Sequence, residues 1–345
     1  MKKFVPLILI FLQCSVLCAE PVRVGTTFSP RQCEYLDLDW KKTYLSVLEL
    51  GFDIIRLGAY WSEIEKEENI YDFSSLDWQI SQAREKGLPV ILTVGMKAPR
   101  WPEYFIPDWV LEKTHLPFGA DVSKNEFLRE RTLKFIKKTI DRYKDEESIH
   151  YWQVENEALN RIGEKHWFIG KDFLKQEVEL VRELDRRKRP VLLTAATYPN
   201  KILRFMARLS VRHDPIKECL SLCDIIGLNV YPMIGHKLWS GGFYFRTTRK
   251  EMDKYFSKLL TLAKNRGKKT WIVELQAEPW EPGHLVYKPE EIPATERPDV
   301  TIERFREFRK LGVDTILLWG AEYWVYRQAR YGDTRWREVL KELEK

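Results

Sequence analysis

Reading from Glu20, short apolar runs of strand length recur along the chain: VRVGT from 22, IIRLG from 54, PVILTV from 89, HYWQVEN from 150, VLLTAAT from 191, IIGLNVY from 225, TWIVEL from 270 and TILLWG from 315. Their β-branched and bulky apolar content predicts eight strands. Between them apolar residues return at helical spacing, as with Leu76, Ile80 and Ala83 or Phe305, Phe308 and Leu311, so strand and helix alternate. Four predicted helices end in a glycine just ahead of the next strand, at Gly51, Gly87, Gly267 and Gly312. Glycine supplies the left-handed cap that a short helix-to-strand turn needs.

The seven intervals between strand centres near 24 and 318 average about 42 residues, a size suited to one βα unit, and eight units predict a single (β/α)8 TIM barrel. A doubly wound open sheet is the alternative, yet no GxGxxG or P-loop follows any strand. Two long inserts, MKAPRWPEYFIPDWVLEKTHLPFG after the third strand and QAEPWEPGHLVYKPEEIPATERP after the seventh, start at strand ends. They are expected on the face where such barrels assemble their chemistry.

Ahead of the barrel stands MKKFVPLILIFLQCSVLCAE: two lysines, an apolar run, then small residues around Ala19, the layout of a secretory signal peptide. Residues 1–19 are therefore set apart from a single domain over 20–345, and the chain is expected to be exported, either secreted or periplasmic. A retained anchor is the competing reading. The run is shorter than the roughly 20 residues a spanning helix needs and is interrupted by Pro6 and Gln13. Neither Cys14 nor Cys18 follows the small residue that lipoprotein processing prefers. No other segment approaches spanning length, so no stable membrane insertion is expected after cleavage.

Formal net charge is +6, and loss of Lys2 and Lys3 lowers it to +4. Basic and acidic residues are interleaved, as in TIERFREFRK, which argues against nucleic acid as a partner. Beyond the leader the cysteines are Cys33, Cys219 and Cys223, an odd set. The i,i+4 spacing of the last two would allow a zinc pair or a local disulfide. No second ligand pair completes a site, and buried, unpaired thiols are expected. The six histidines show no HxH or HExxH spacing, so neither a metal nor an organic cofactor is expected.

Among 51 acidic residues position alone singles any out. Glu157 ends the fourth strand in HYWQVENEALN and Glu274 the seventh in TWIVELQAE, so both emerge at the rim where they can converge on one substrate. Glycoside cleavage needs one protonated carboxyl to donate to the leaving oxygen and a second to attack the anomeric carbon or activate water.

At these residues the chain resembles clan A of the glycoside hydrolases, whose acid/base and nucleophile stand on strands four and seven: Asn156-Glu157 and Glu274 match that pattern. Arg56, in IIRLGAYWSEIEKEENIYDFSSLDW, lies in a stretch similar to one in family 42 β-galactosidases; WQVENEA is similar to family 10 xylanases and GLNVYP to family 5 cellulases and mannanases. Tyr231 resembles the tyrosine that hydrogen-bonds the nucleophile, and Trp319 the tryptophan flooring the cleaved sugar's subsite. These matches cover nearly the whole mature chain. The resemblance implies that 20–345 is a glycoside hydrolase catalytic domain acting on a β-linked carbohydrate with retention, the carboxyls about 5 to 5.5 Å apart. Glu157 is then acid/base and Glu274 nucleophile, with Arg56 and Tyr231 supporting Glu274, and Glu157 needs a less polar setting to hold its proton.

For Asn156 the resemblance implies a hydrogen bond to the sugar 2-hydroxyl; capping of the following loop is the alternative. Glu155 is expected in a structural ion pair, because three consecutive polar residues cannot all face inward on a regular strand. Glu278 and Glu322, on the loops after strands seven and eight, are expected as solvated loop charges, with substrate contact the alternative. Of thirteen tryptophans, Trp40, Trp78 and Trp336 read as packing residues, whereas Trp61, Trp101, Trp280 and Trp324 lie just beyond strand ends and are candidate sugar platforms. A catalytically silent glycan-binding barrel is the alternative function; it would be marked by loss of one carboxylate, and both are present.

Overall fold

The computed structural model describes residues 22–161, 163, 165–210, 213–238, 241–282 and 290–343; the segment expected to direct export lies outside them. Ten strands occur among the described residues: β1 (Arg23–Thr27), β2 (Ile54–Gly58), β3 (Val90–Val94), β4 (Ile149–Val154), β5 (Val191–Ala196), β6 (Ile225–Val230), β7 (Met233–Leu238), β8 (Gly241–Arg246), β9 (Lys269–Gln276) and β10 (Thr315–Trp319). Eight of them close into one barrel in the order β1-β10-β9-β6-β5-β4-β3-β2, every neighbouring pair parallel. These are the eight predicted strands. Gly51, Gly87, Gly267 and Gly312 take positive φ values of 92, 66, 66 and 82°, the backbone conformation their predicted capping role requires.

Continuous apolar runs suit these strands because both of their faces are covered. Ile54, Ile91, Leu192, Ile225, Trp271, Val273 and Leu317 form a small cluster inside the barrel. A much larger core, including Ile55, Leu92, Trp152, Leu193, Ile272 and Leu318, fills the space between strands and outer helices. The inner cluster is a packed floor, and polar residues sit above it toward the strands' C-terminal ends.

The hairpin β7–β8, antiparallel from Met233↔Arg246 to Leu238↔Gly241, was not predicted. Its strands, MIGHKL and GGFYFR, are two residues apart in sequence, and the paired glycines opening the second were the available signal, overshadowed by the regular spacing of the longer runs. Cys33, Cys219 and Cys223 are buried and, among the described residues, unpaired, as expected.

Candidate active site

Strand geometry explains why Glu274 faces the barrel interior. Along β9, Trp271 and Val273 belong to the inner cluster and Ile272 and Leu275 to the outer core. The alternation breaks between 273 and 274, where the register shifts against both β6 and β10. Such a bulge re-aims a side chain without ending the strand. Glu274 is buried, with Oε1 2.6 Å from Arg56 Nη2 and Oε2 accepting from the Tyr231 hydroxyl at 2.6 Å. Burial and then the Glu274 charge push the Tyr231 hydroxyl far above its ordinary range, which keeps it a donor. Arg56, fully buried on β2, also donates to Thr27 Oγ1 and Gln153 Oε1, so its guanidinium is held rigidly.

Glu157 stands opposite. β4 ends at Val154, and Glu155 and Glu157 adopt left-handed φ values of 57 and 48°. The three polar residues 155–157 therefore lie in a turn and escape strand alternation. Glu157 N donates to Thr194 Oγ1 at 2.8 Å, and Oε1 accepts from Asn229 Nδ2 at 2.6 Å. Asn229 pairs in register with Glu274 across β6 and β9, so one asparagine connects the settings of the two carboxyls. Burial, then the charge of Glu103, raises Glu157 to about 8, with Lys97 opposing and Glu274 adding to the rise. Glu157 thus holds a proton at neutral pH.

Asn156 Oδ1 accepts from Thr194 Oγ1 at 3.1 Å and Gln153 Nε2 at 3.3 Å. With Oδ1 so engaged, Nδ2 is the group left to donate to a ligand.

Glu155 makes a different contact from the ion pair expected. Its carboxylate accepts the backbone N–H groups of Met96 and Lys97 at 2.8 and 2.6 Å and lies beside the carboxyl of Glu177. Glu177 is fully buried on the helix Lys171–Leu184, and burial followed by the Glu155 charge drives it well upward. A Cβ on Gly95 would lie 2.1 Å from Glu155 Oε1, so only glycine fits beside this carboxylate.

The insert after β3 contributes most of what sequence reasoning missed. Lys97 Nζ pairs with Glu103 at 3.0 Å and donates to the Glu157 carbonyl at 3.1 Å. Burial raises the Glu103 carboxyl against the pull of Lys97. Arg100 lies over the Trp319 ring, 4.0 Å from its centroid, and pairs with Glu278 at 2.8 Å and Glu322 at 2.9 Å. Glu278 and Glu322 are therefore buried ion-pair partners, not solvated loop charges; the cause is a cation delivered by the insert after β3, from the far side of the barrel. The one available signal was the arginine in the APRW segment.

The tryptophans divide. Trp319 is almost wholly buried, meets Tyr231 edge-on with centroids 6.4 Å apart, and its Nε1 has no partner among the described residues. Trp280 packs 4.5 Å from Tyr231, and Trp101 is 67% exposed. Trp61 and Trp324 are completely buried and cannot serve as sugar platforms. Trp61 stacks on Phe135 at 5.5 Å and bonds Glu65; Trp324 packs against Phe52 and Trp336 and donates to the Ala277 carbonyl. Each lies on a helix directly after a strand, where the inward face joins the outer core.

A family model described as beta-galactosidase, glycoside hydrolase family 42, matches residues 27–186, a segment that includes Arg56, Asn156 and Glu157. The β-galactosidase Bga of Halorubrum lacusprofundi is 22% identical over 151 residues, 39% of this chain and 20% of that protein. The β-galactosidase LacZ of Heyndrickxia coagulans is 24% identical over 161 residues, 42% of this chain and 23% of that protein. Each match thus spans about a fifth of the curated relative. Among solved structures, a β-galactosidase from Rahnella sp. R3 is similar with a TM-score of 0.65 and 16% identity, covering 94% of this chain and 55% of that one. A family 10 endo-β-1,4-xylanase from Gloeophyllum trabeum is similar with a TM-score of 0.60 and 14% identity, covering 95% and 98%. These matches bear out the resemblance to clan A glycoside hydrolases, and families 42 and 10 are both represented among them.

Proposed function

We propose that the chain is a retaining β-glycosidase that hydrolyses O-glycosidic bonds of a β-linked oligo- or polysaccharide. The observation that carries this reading is the pairing of two buried carboxyls in opposite settings: Glu157 raised to about 8, and Glu274 bonded by Arg56 and Tyr231 through one oxygen each. A buried carboxyl that keeps its proton, facing a second one held by a guanidinium and a hydroxyl, divides the roles of acid and nucleophile.

In the first step Glu274 attacks the anomeric carbon while the Glu157 proton passes to the leaving oxygen, giving a glycosyl ester of Glu274 and a free alcohol. Glu157, now a carboxylate, takes a proton from water as that water attacks the anomeric carbon. The ester bond breaks, and Glu274 returns as carboxylate. Asn156 Nδ2 donates to the sugar hydroxyl next to the reacting carbon, Trp319 floors its subsite, and Trp280 and Trp101 extend the cleft. A silent glycan-binding barrel is disfavoured because both carboxyls are in place.

A β-galactoside is the first substrate to test, given the names of the relatives. The N-terminal apolar run supports export, so the enzyme would meet its substrate outside the cytoplasm. Glu274→Ala should abolish hydrolysis of aryl β-glycosides, and azide should restore turnover as a glycosyl azide of inverted configuration. Full activity in that variant would overturn the assignment.

A further inference from the structure

The helix Lys201–Ser210 follows β5 and exposes the side that a surface helix ordinarily buries. Ile202, Phe205, Met206 and Leu209, spaced i, i+3, i+4 and i+7, are 62, 64, 54 and 72% exposed. At that spacing they form a single apolar stripe, and such a stripe open to solvent marks a contact surface. The hairpin adjoins it: Asn200 Nδ2 donates to the Arg246 carbonyl, and Phe243 and Tyr244 of β8 are each about two-fifths exposed.

One flank of the stripe is basic. Lys201, Arg204 and Arg208 lie on it and face a groove of about 440 Å³ completed by Lys217, Lys254 and Lys258. The acids lining the groove are Asp214 and Glu251, and both are engaged. Asp214 caps the helix Pro215–Leu222 and pairs with Lys217, and Glu251 forms the capping box of Arg249–Lys264 with Thr248. Arg204 stacks on Tyr255 and donates to the Tyr198 and Pro199 carbonyls, yet its charge stays. Arg208, Lys254 and Lys258 make no ion pair among the described residues.

We infer that this face docks the protein on an anionic lipid surface, the stripe entering the interfacial layer and the basic flank meeting phosphate headgroups. An apolar stripe beside Lys and Arg is the pattern of helices that lie in a membrane interface, and each cation near an anionic surface strengthens attachment. A second copy fits less well. Antiparallel pairing of two such helices about a two-fold axis would set their basic flanks side by side.

A local probe tests this in the full chain. Cys33, Cys219 and Cys223 are buried, so with Cys14→Ser and Cys18→Ser an environment-sensitive fluorophore on Leu209→Cys reports from the stripe alone. Vesicles with about 30% phosphatidylglycerol should shift its emission to the blue, with at least about tenfold higher apparent affinity than pure phosphatidylcholine, and about 0.5 M salt should reverse the shift. Combined Arg208→Glu, Lys254→Glu and Lys258→Glu should weaken the response by at least about tenfold while leaving the far-ultraviolet circular dichroism unchanged. No response to anionic vesicles, or an equal response to neutral ones, overturns the inference. A shift that grows with protein concentration in the absence of lipid overturns it too, and assigns the face to a second copy.

Discussion

Glu157→Gln removes one ionisable group and retains the side chain's volume, so it isolates what burying this carboxyl costs the fold. In the native protein the group titrates near 8 against an ordinary 4.5. Between those values the native state keeps the proton and the unfolded chain releases it. The stability Glu157 contributes is therefore complete below about 4.5, declines as pH rises, and is lost above about 8. At about 1.4 kcal/mol per pH unit the full loss is at most about 5 kcal/mol, with roughly half of it reached near pH 6. Glutamine has no such dependence. Denaturant unfolding of wild type and variant at matched pH should show the variant gaining relative stability steadily from about pH 5 to pH 8. Glu155, raised to about 7, is present in both proteins and cancels in the difference. Parallel stability curves across that window would refute the burial argument for Glu157, and with it the physical basis for its role as acid.

Arg100→Met would leave Glu278 and Glu322 buried without their counter-charge, and should lower stability by about 3 to 5 kcal/mol in thermal or denaturant unfolding. Trp61→Ala should cost about 3 to 5 kcal/mol because it opens a cavity against Phe135. Trp101→Ala should stay within about 0.5 kcal/mol of wild type, and on the platform reading it should raise KM for extended substrates more than it lowers kcat. Asn229→Ala removes a hydrogen bond that holds Glu157 down, so the alkaline limb of the kcat/KM profile should move to higher pH. An unmoved limb would show that Asn229 does not act through Glu157.

The barrel was legible in the sequence because its determinants are local. Strand composition, helical spacing and capping glycines each act over a few residues, and repeated eight times they leave closure as the natural solution. Glu157 and Glu274 could be named as candidates for a related reason: each lies at or near a strand's C-terminal end, where barrel topology brings residues together whatever their separation, whereas Arg56, Asn156, Tyr231 and Trp319 were named through the resemblance to clan A glycoside hydrolases. The remainder depended on tertiary structure. Whether an acid is solvated or buried is decided by a partner far along the chain, as with Arg100 and Glu278, 178 residues apart. Trp61 and Trp101 both follow strand ends, and only the packing of Phe135 on one and the exposure of the other separate core from candidate platform. The bulge that turns Glu274 inward and the left-handed turn that sends Glu155 to Glu177 are likewise set by neighbouring strands and by an outer helix. Local sequence fixes which segments extend and which coil, whereas burial and electrostatic pairing depend on which distant residues the closed barrel brings into contact.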